Sequence, residues 1–118
     1  MFYKNQYHEE LYNQFTSILN NDDTYYKSFA FVAAAIEKKG IMTALDDCNI
    51  DKELLLDMSK AWSNSERAML EIAWQLFNDV NLYEIEGEIQ FPTIKSLFNS
   101  LDSENLKVVI EAIGMKYF

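Results

Sequence analysis

The residues able to do chemistry are few, and each stands almost alone. His8, the single histidine, adjoins Glu9 and Glu10 in what reads as the first turn of a helix. A histidine beside a carboxylate is the usual make-up of a general base, so a catalytic role is weighed for it; the plainer reading is an exposed, inert side chain. Cys48, the single cysteine, sits among Asp46, Asp47 and Asp51. Those surroundings are the opposite of the electropositive setting an activated thiolate needs. The run Asp46-Asp47-Cys48-Asn49-Ile50-Asp51-Lys52-Glu53 has the oxygen density of a calcium loop. It lacks the central glycine, however, and its twelfth position is Asp57 rather than glutamate. One Cys and one His make neither a Cys/His zinc site nor an internal disulfide. Ser63 and Ser65 have no histidine nearby in sequence and are better explained by helix capping. The glycines stand isolated at 40, 87 and 114, so no phosphate-cradling loop is present. Arg67, the only arginine, falls four residues before Glu71 and reads as its surface partner. Spacing does not exclude a glycosidase-type carboxylate pair, but so small a domain offers little room for a sugar cleft. The expectation is a non-enzyme with no catalytic residue, no cofactor and no metal.

The elements that hold these residues are mostly helical. The chain has 118 residues, 49% of them apolar and 14% aromatic, which suits a single folded domain over 1–118 and excludes intrinsic disorder. Gln6 to Asn20 carries Tyr7, Leu11, Phe15, Ile18 and Leu19 on one helical face. Thr24 to Lys39, capped by Asp23, is apolar nearly all round and reads as the central helix, ended by Lys38-Lys39-Gly40. Ile41 to Leu45 is a short helical turn stopped by Asp46-Asp47, and Asp51 to Met58 is a short helix with Leu54, Leu55 and Met58 inward. Ser63 and Glu66 have the spacing of a capping box; the helix they open runs to about Asn78. Between Leu82 and Phe91 the period changes from 3.6 to 2. A three-residue turn at Glu86-Gly87-Glu88 would set Ile85 opposite Ile89 and Tyr83 opposite Phe91, all on one face; a single extended strand is the alternative. Thr93 to Asn99 is a short helix with Ile94, Leu97 and Phe98. Asp102 caps a last helix with Leu106, Val109, Ile110 and Ile113 inward. The fold class is therefore mainly α: a compact bundle of about five to seven helices with one short β-hairpin near 82–91.

The chain sets 19 carboxylates against 10 basic residues, a net charge of -9. A surface so acidic argues against nucleic acid or an anionic membrane as ligand. The excess is localised. Residues 40–58 hold Asp46, Asp47, Asp51, Glu53 and Asp57 against Lys52, a net of -4, and residues 79–91 hold Asp79, Glu84, Glu86 and Glu88 with no base, again -4. One reading is solvated loops that aid solubility. The other is an acidic contact surface for a basic partner, with Asp46, Asp47, Asp51, Asp79, Glu84, Glu86 and Glu88 as its residues. The last three form a one-sided row if the segment is one strand, or a cluster at the tip if it turns at Gly87. The aromatic residues give a second ambiguity. Phe2, Tyr3, Tyr7, Tyr12, Tyr117 and Phe118 either complete the core or form a homodimer or partner surface.

Nothing at Met1-Phe2-Tyr3-Lys4 has the form of a signal peptide. The longest apolar run, Phe29 to Ile36, has eight residues, against about 20 for a membrane span. With an unpaired Cys48, a cytoplasmic protein is expected.

Two stretches carry a family likeness. Trp62-Ser63-Asn64-Ser65-Glu66-Arg67 through Trp74-Gln75-Leu76-Phe77-Asn78 is one. Leu101-Asp102-Ser103-Glu104-Asn105-Leu106 through Ile113, closing at Lys116-Tyr117-Phe118, is the other. With the aromatic N-terminal helix they resemble a family of small phage and prophage proteins of Gram-positive bacteria that has no assigned activity. The chain departs from that pattern by Asp79, where a glycine is expected, and by its acidic 82–91 segment. The resemblance implies an accessory gene of a mobile element, acting by protein–protein binding. Its partner would be a host or phage protein with a basic surface, inhibition of a host nucleic-acid-handling or defence protein being one such role. A structural or regulatory homo-oligomer is the alternative.

Overall fold

Helix α2 (Thr24–Ala35) is the axis around which the chain is wound. Every residue from Ser28 to Ile36 is buried, as expected of a helix apolar on all sides. It packs against α1 (Gln6–Leu19), α4 (Asn64–Asn78) and α6 (Ser103–Tyr117). Shorter pieces close the ends: a 3-10 helix (Lys39–Ala44), α3 (Lys52–Ser59) and α5 (Ile94–Phe98). Two antiparallel ribbons complete the fold, β1 (Leu45–Asp46) with β2 (Asn49–Ile50) and β3 (Glu84–Ile85) with β4 (Glu88–Ile89). This computed structural model describes residues 2–118. Its radius of gyration, 13.0 Å, is that of a folded domain of this length. Among the described residues no helix is long and apolar enough to cross a membrane.

Capping explains where α1, α3, α4 and α6 begin, whereas Asp23, the expected cap of α2, makes no side-chain cap bond. Asn5 accepts the His8 N–H, Asp51 that of Leu54, and Asp102 that of Asn105. Ser63 and Glu66 form the expected reciprocal box, at 3.2 and 2.9 Å. Burial pushes the Glu66 carboxyl up, but the Ser63 N–H and hydroxyl and the Lys38 ammonium outweigh it and hold Glu66 below its ordinary value. Ser63→Ala is expected to cost about 1 kcal/mol, read as a lower urea midpoint at unchanged slope. A midpoint equal to that of the wild type would show the box to be idle.

Several boundaries depart from the sequence reading. Helix α2 ends at Ala35 rather than Lys39, and Glu37, not Gly40, takes the left-handed turn, at φ 63°. Tertiary contact overrides the local stop signal here: Lys4 Nζ reaches across to donate to the Ala35 carbonyl at 2.8 Å and to Asn105 Oδ1 at 3.2 Å. Asp46 does not stop a helix but pairs with Asn49 in the first ribbon, so there are two ribbons where one hairpin was expected. Its strands are two residues long, too short to show alternation. The α1–α2 corner holds its turn, with the Cys48 N–H on Leu19 O at 2.9 Å and the Tyr26 hydroxyl on Cys48 O at 3.1 Å.

The 82–91 segment is a hairpin, not a single strand, but one residue out of the expected register. Glu84 pairs with Ile89 and Ile85 with Glu88. The loop is therefore the two residues Glu86-Gly87, both at positive φ (54° and 81°), as a tight turn matched to strand twist requires. The four residues expected on one face do not share it: Ile89 is exposed, while Tyr83 and Phe91 are buried with rings 6.0 Å apart. The side chain of Ile85 lies outside what the structure describes. Ile110, expected inward, faces solvent at 68% exposed, and Ile94 is 70% exposed. Helix α6 instead buries Val108, Val109 and Ala112.

Candidate functional site

A cleft of about 310 Å³ lies between α3, the start of α4 and the root of the second ribbon. Glu53, Leu56, Asp57 and Lys60 line it from α3 and its C-cap, Arg67 from α4, and Tyr83 and Gln90 from the ribbon. Glu53 and Asp57 share a face because they stand four residues apart on one helix.

One buried carboxylate fixes the ribbon. Glu71, in the middle of α4, has no exposed surface. Its Oε2 accepts the Leu82 N–H at 2.5 Å and its Oε1 the Tyr83 N–H at 3.3 Å. Burial raises its pKa, against the pull of those two N–H groups, Gln75 and Lys52. The Tyr83 hydroxyl donates to Ser59 Oγ at 2.6 Å and so ties the ribbon to α3. Burial pushes this phenol up to about 12, so it acts as a neutral donor. Arg67 is not the partner of Glu71; its Nε is buried without a hydrogen bond. Lys60 pairs with Asp57 at 3.3 Å, with both side chains mostly exposed, so the pair adds little stability.

The expected contact residues are partly brought together and partly dispersed. The side chains of Glu84, Glu86 and Glu88 stand exposed on the ribbon, with no ion pair or side-chain hydrogen bond among the described residues. They are grouped about the tip rather than in a one-sided row, because the register puts Glu84 and Glu88 on opposite faces. Asp51 is the N-cap of α3. Asp46 accepts the Asp47 N–H at 2.8 Å, and Asp47 accepts from Asn20 at 3.3 Å, both on the first ribbon. Asp79 takes the left-handed C-cap of α4, at φ 64°, and pairs with Lys116 at 3.2 Å, away from the cleft. Glu53, Asp57, Arg67 and Tyr83 were not among the expected site residues. The signal for the first two was their four-residue spacing; nothing local marks the others.

The catalytic candidates find structural roles. His8 is not exposed but fully buried. Its Nδ1 accepts the Lys4 N–H at 3.0 Å, and Nε2 lies 2.8 Å from the Phe31 carbonyl. Both nitrogens therefore serve the backbone. Cys48 is exposed at the turn of the first ribbon, at φ 56°. Among the described residues no three His, Cys, Asp or Glu side chains converge as a metal site would need.

Comparison with protein-family models, with curated proteins and with solved structures gives no match.

Proposed function

We propose that this protein is a non-catalytic binding module that docks a basic surface of another protein against the face formed by α3 and the second ribbon. The observation that carries the reading is a convergence. The cleft is lined by Glu53 and Asp57 from one acidic segment and by Tyr83 and Gln90 from the other, with Lys60 and Arg67 balancing its two carboxylates, so the surplus charge lies with the three carboxylates without a side-chain partner around the adjacent tip. Charges left free on a ribbon whose root is locked by Glu71 need little reorganisation to meet a partner. They steer its approach and set its orientation, an effect that weakens with salt. The likeness of the 62–78 and 101–118 stretches to phage and prophage proteins supports a setting in the bacterial cytoplasm. There the module would occupy a host nucleic-acid-handling or defence protein.

The test is a triple reversal, Glu84→Lys, Glu86→Lys and Glu88→Lys, in one chain. All three side chains are exposed, so the fold is expected to hold within about 0.5 kcal/mol. Protein captured by the wild type from the host lysate is purified, and its association is measured from low to high salt. The variant is expected to associate at least about tenfold more slowly at low salt and to lose most of the salt slope. Unchanged affinity and slope would remove the acidic face from the function.

A further inference from the structure

We propose that the cleft between α3, α4 and the second ribbon binds a small zwitterion of the amino-acid class, with its carboxylate on Arg67 and its ammonium on Glu53. Arg67 is the only arginine of the chain and lines the cleft. Its side chain makes no hydrogen bond or ion pair among the described residues. It is nevertheless not a loose surface cation. Its Nε is buried, so packing in the wall of the cleft holds the guanidinium without any acceptor. A donor fork already held in place beside a cavity is what recognition of a carboxylate needs, because little order remains to be imposed on binding.

Charge within the cleft selects the ligand. Lys60 and Asp57 already pair with each other at 3.3 Å. That leaves Arg67 and Glu53, which line the same cleft without meeting: Glu53 is exposed and makes no ion pair or side-chain hydrogen bond among the described residues. A molecule carrying both charges neutralises the two together. A bare anion at Arg67 would stand against Glu53 and Asp57, and a bare cation at Glu53 against Arg67 and Lys60. An ammonium only donates and a carboxylate only accepts, which matches Glu53 and Arg67 in turn. The Tyr83 hydroxyl is committed to Ser59 at 2.6 Å, so the remaining free polar group of the lining is the exposed Gln90 amide, which serves either end. At about 310 Å³ the cavity is at the small end of ligand sites, which suits a single amino acid. None of these groups belongs to the ribbon tip, so the site goes beyond the docking proposed above and does not rest on it.

Titration of the full chain, labelled with nitrogen-15, by each standard L-amino acid up to about 10 mM tests the proposal by NMR. A single arginine gives a single Nε–H signal, so this reporter is unambiguous. At least one amino acid is expected to shift that signal and the Gln90 side-chain amide saturably, with the same dissociation constant. Its amine analogue without the carboxylate and its acid analogue without the ammonium are each expected to bind at least about tenfold more weakly. Glu53→Gln, at an exposed position, is expected to weaken the amino acid at least about tenfold and to leave the acid analogue as tight as before or tighter. Arg67→Lys keeps the charge but removes the fork, and is expected to weaken both, read at Gln90. The Glu84, Glu86 and Glu88 reversal is expected to bind the amino acid as the wild type does, so failure of docking at the tip and failure of this site are told apart. No saturable shift with any of the amino acids overturns the proposal. Binding undiminished by Glu53→Gln or by Arg67→Lys also overturns it, as does an acid analogue that binds the wild type as tightly as the amino acid.

Discussion

Replacing Glu71 with alanine is expected to remove about 3–5 kcal/mol of stability. The carboxylate is wholly buried and accepts the N–H groups of Leu82 and Tyr83. Without it, two buried donors lose their partner at about 1–3 kcal/mol each, and a cavity is added. Glu71→Gln keeps the volume but turns an amide NH2 toward one of the two donors, so an intermediate loss is expected. The pH dependence tells charge from shape. Burial raises the folded-state pKa of Glu71 above its ordinary 4.5. This group's contribution is therefore full at pH values below 4.5 and is lost as pH rises through the folded value. The glutamine variant does not titrate, so its deficit relative to wild type is expected to narrow as pH rises from about 4.5 toward 7. Urea titrations followed by Trp62 and Trp74 fluorescence measure both effects. A loss below about 1 kcal/mol for the alanine variant would mean that the ribbon stands without its anchor. Because the ribbon carries Glu84, Glu86 and Glu88, the same variant is expected to weaken docking at the acidic face even under conditions where it remains folded.

How far the sequence discloses this architecture depends on the range of the forces involved. Most helix starts have local causes: Asn5, Asp51, Ser63 with Glu66, and Asp102 each satisfy a backbone N–H three residues on, although the expected cap Asp23 makes no such bond at the start of α2. The turn of the second ribbon is local too. A loop ending in glycine is the two-residue signature once Glu86 accepts a positive φ, and the register follows from it. Glu71 is a different case. Its partners lie 11 and 12 residues away and are backbone groups, which carry no side-chain identity to read. Its spacing from Arg67 suggests a surface pair that the fold does not make. The acidic segments are legible as charge, but their approach to one cleft depends on that same Glu71 bond. On α6, periodicity marks Ile110 as apolar without saying whether its own chain covers it.

His8 offers the last case, one in which the pattern was present and the residue type concealed it. The stripe of α1 runs through His8, Leu11, Phe15 and Leu19, all buried, while Tyr7 is 41% exposed. The imidazole thus takes a core position and packs among rings, 4.7 Å from Phe31 and 5.5 Å from Tyr3. Accepting the Lys4 N–H at Nδ1 places the single proton on Nε2, where it is donated to the Phe31 carbonyl. Protonation would set an N–H against an N–H. Burial lowers the pKa of His8 below its ordinary 6.5; the Phe31 carbonyl and Glu37 oppose that and Lys4 adds to it. Well above pH 6.5 the ring is neutral in both states, and its contribution to stability does not change with pH. As pH falls from 6.5 toward the folded value the unfolded chain takes up the proton first, so stability declines. His8→Phe keeps a ring but leaves the Lys4 N–H and the Phe31 carbonyl without partners. It is expected to cost about 2–4 kcal/mol at neutral pH. Its deficit is expected to narrow between about pH 7 and 5 as the wild type loses stability that the variant cannot lose. Chemical denaturation of both proteins across that range measures the gap. Parallel curves would show that His8 titrates alike in the folded and unfolded chains, which a ring neutralised by two backbone bonds cannot do.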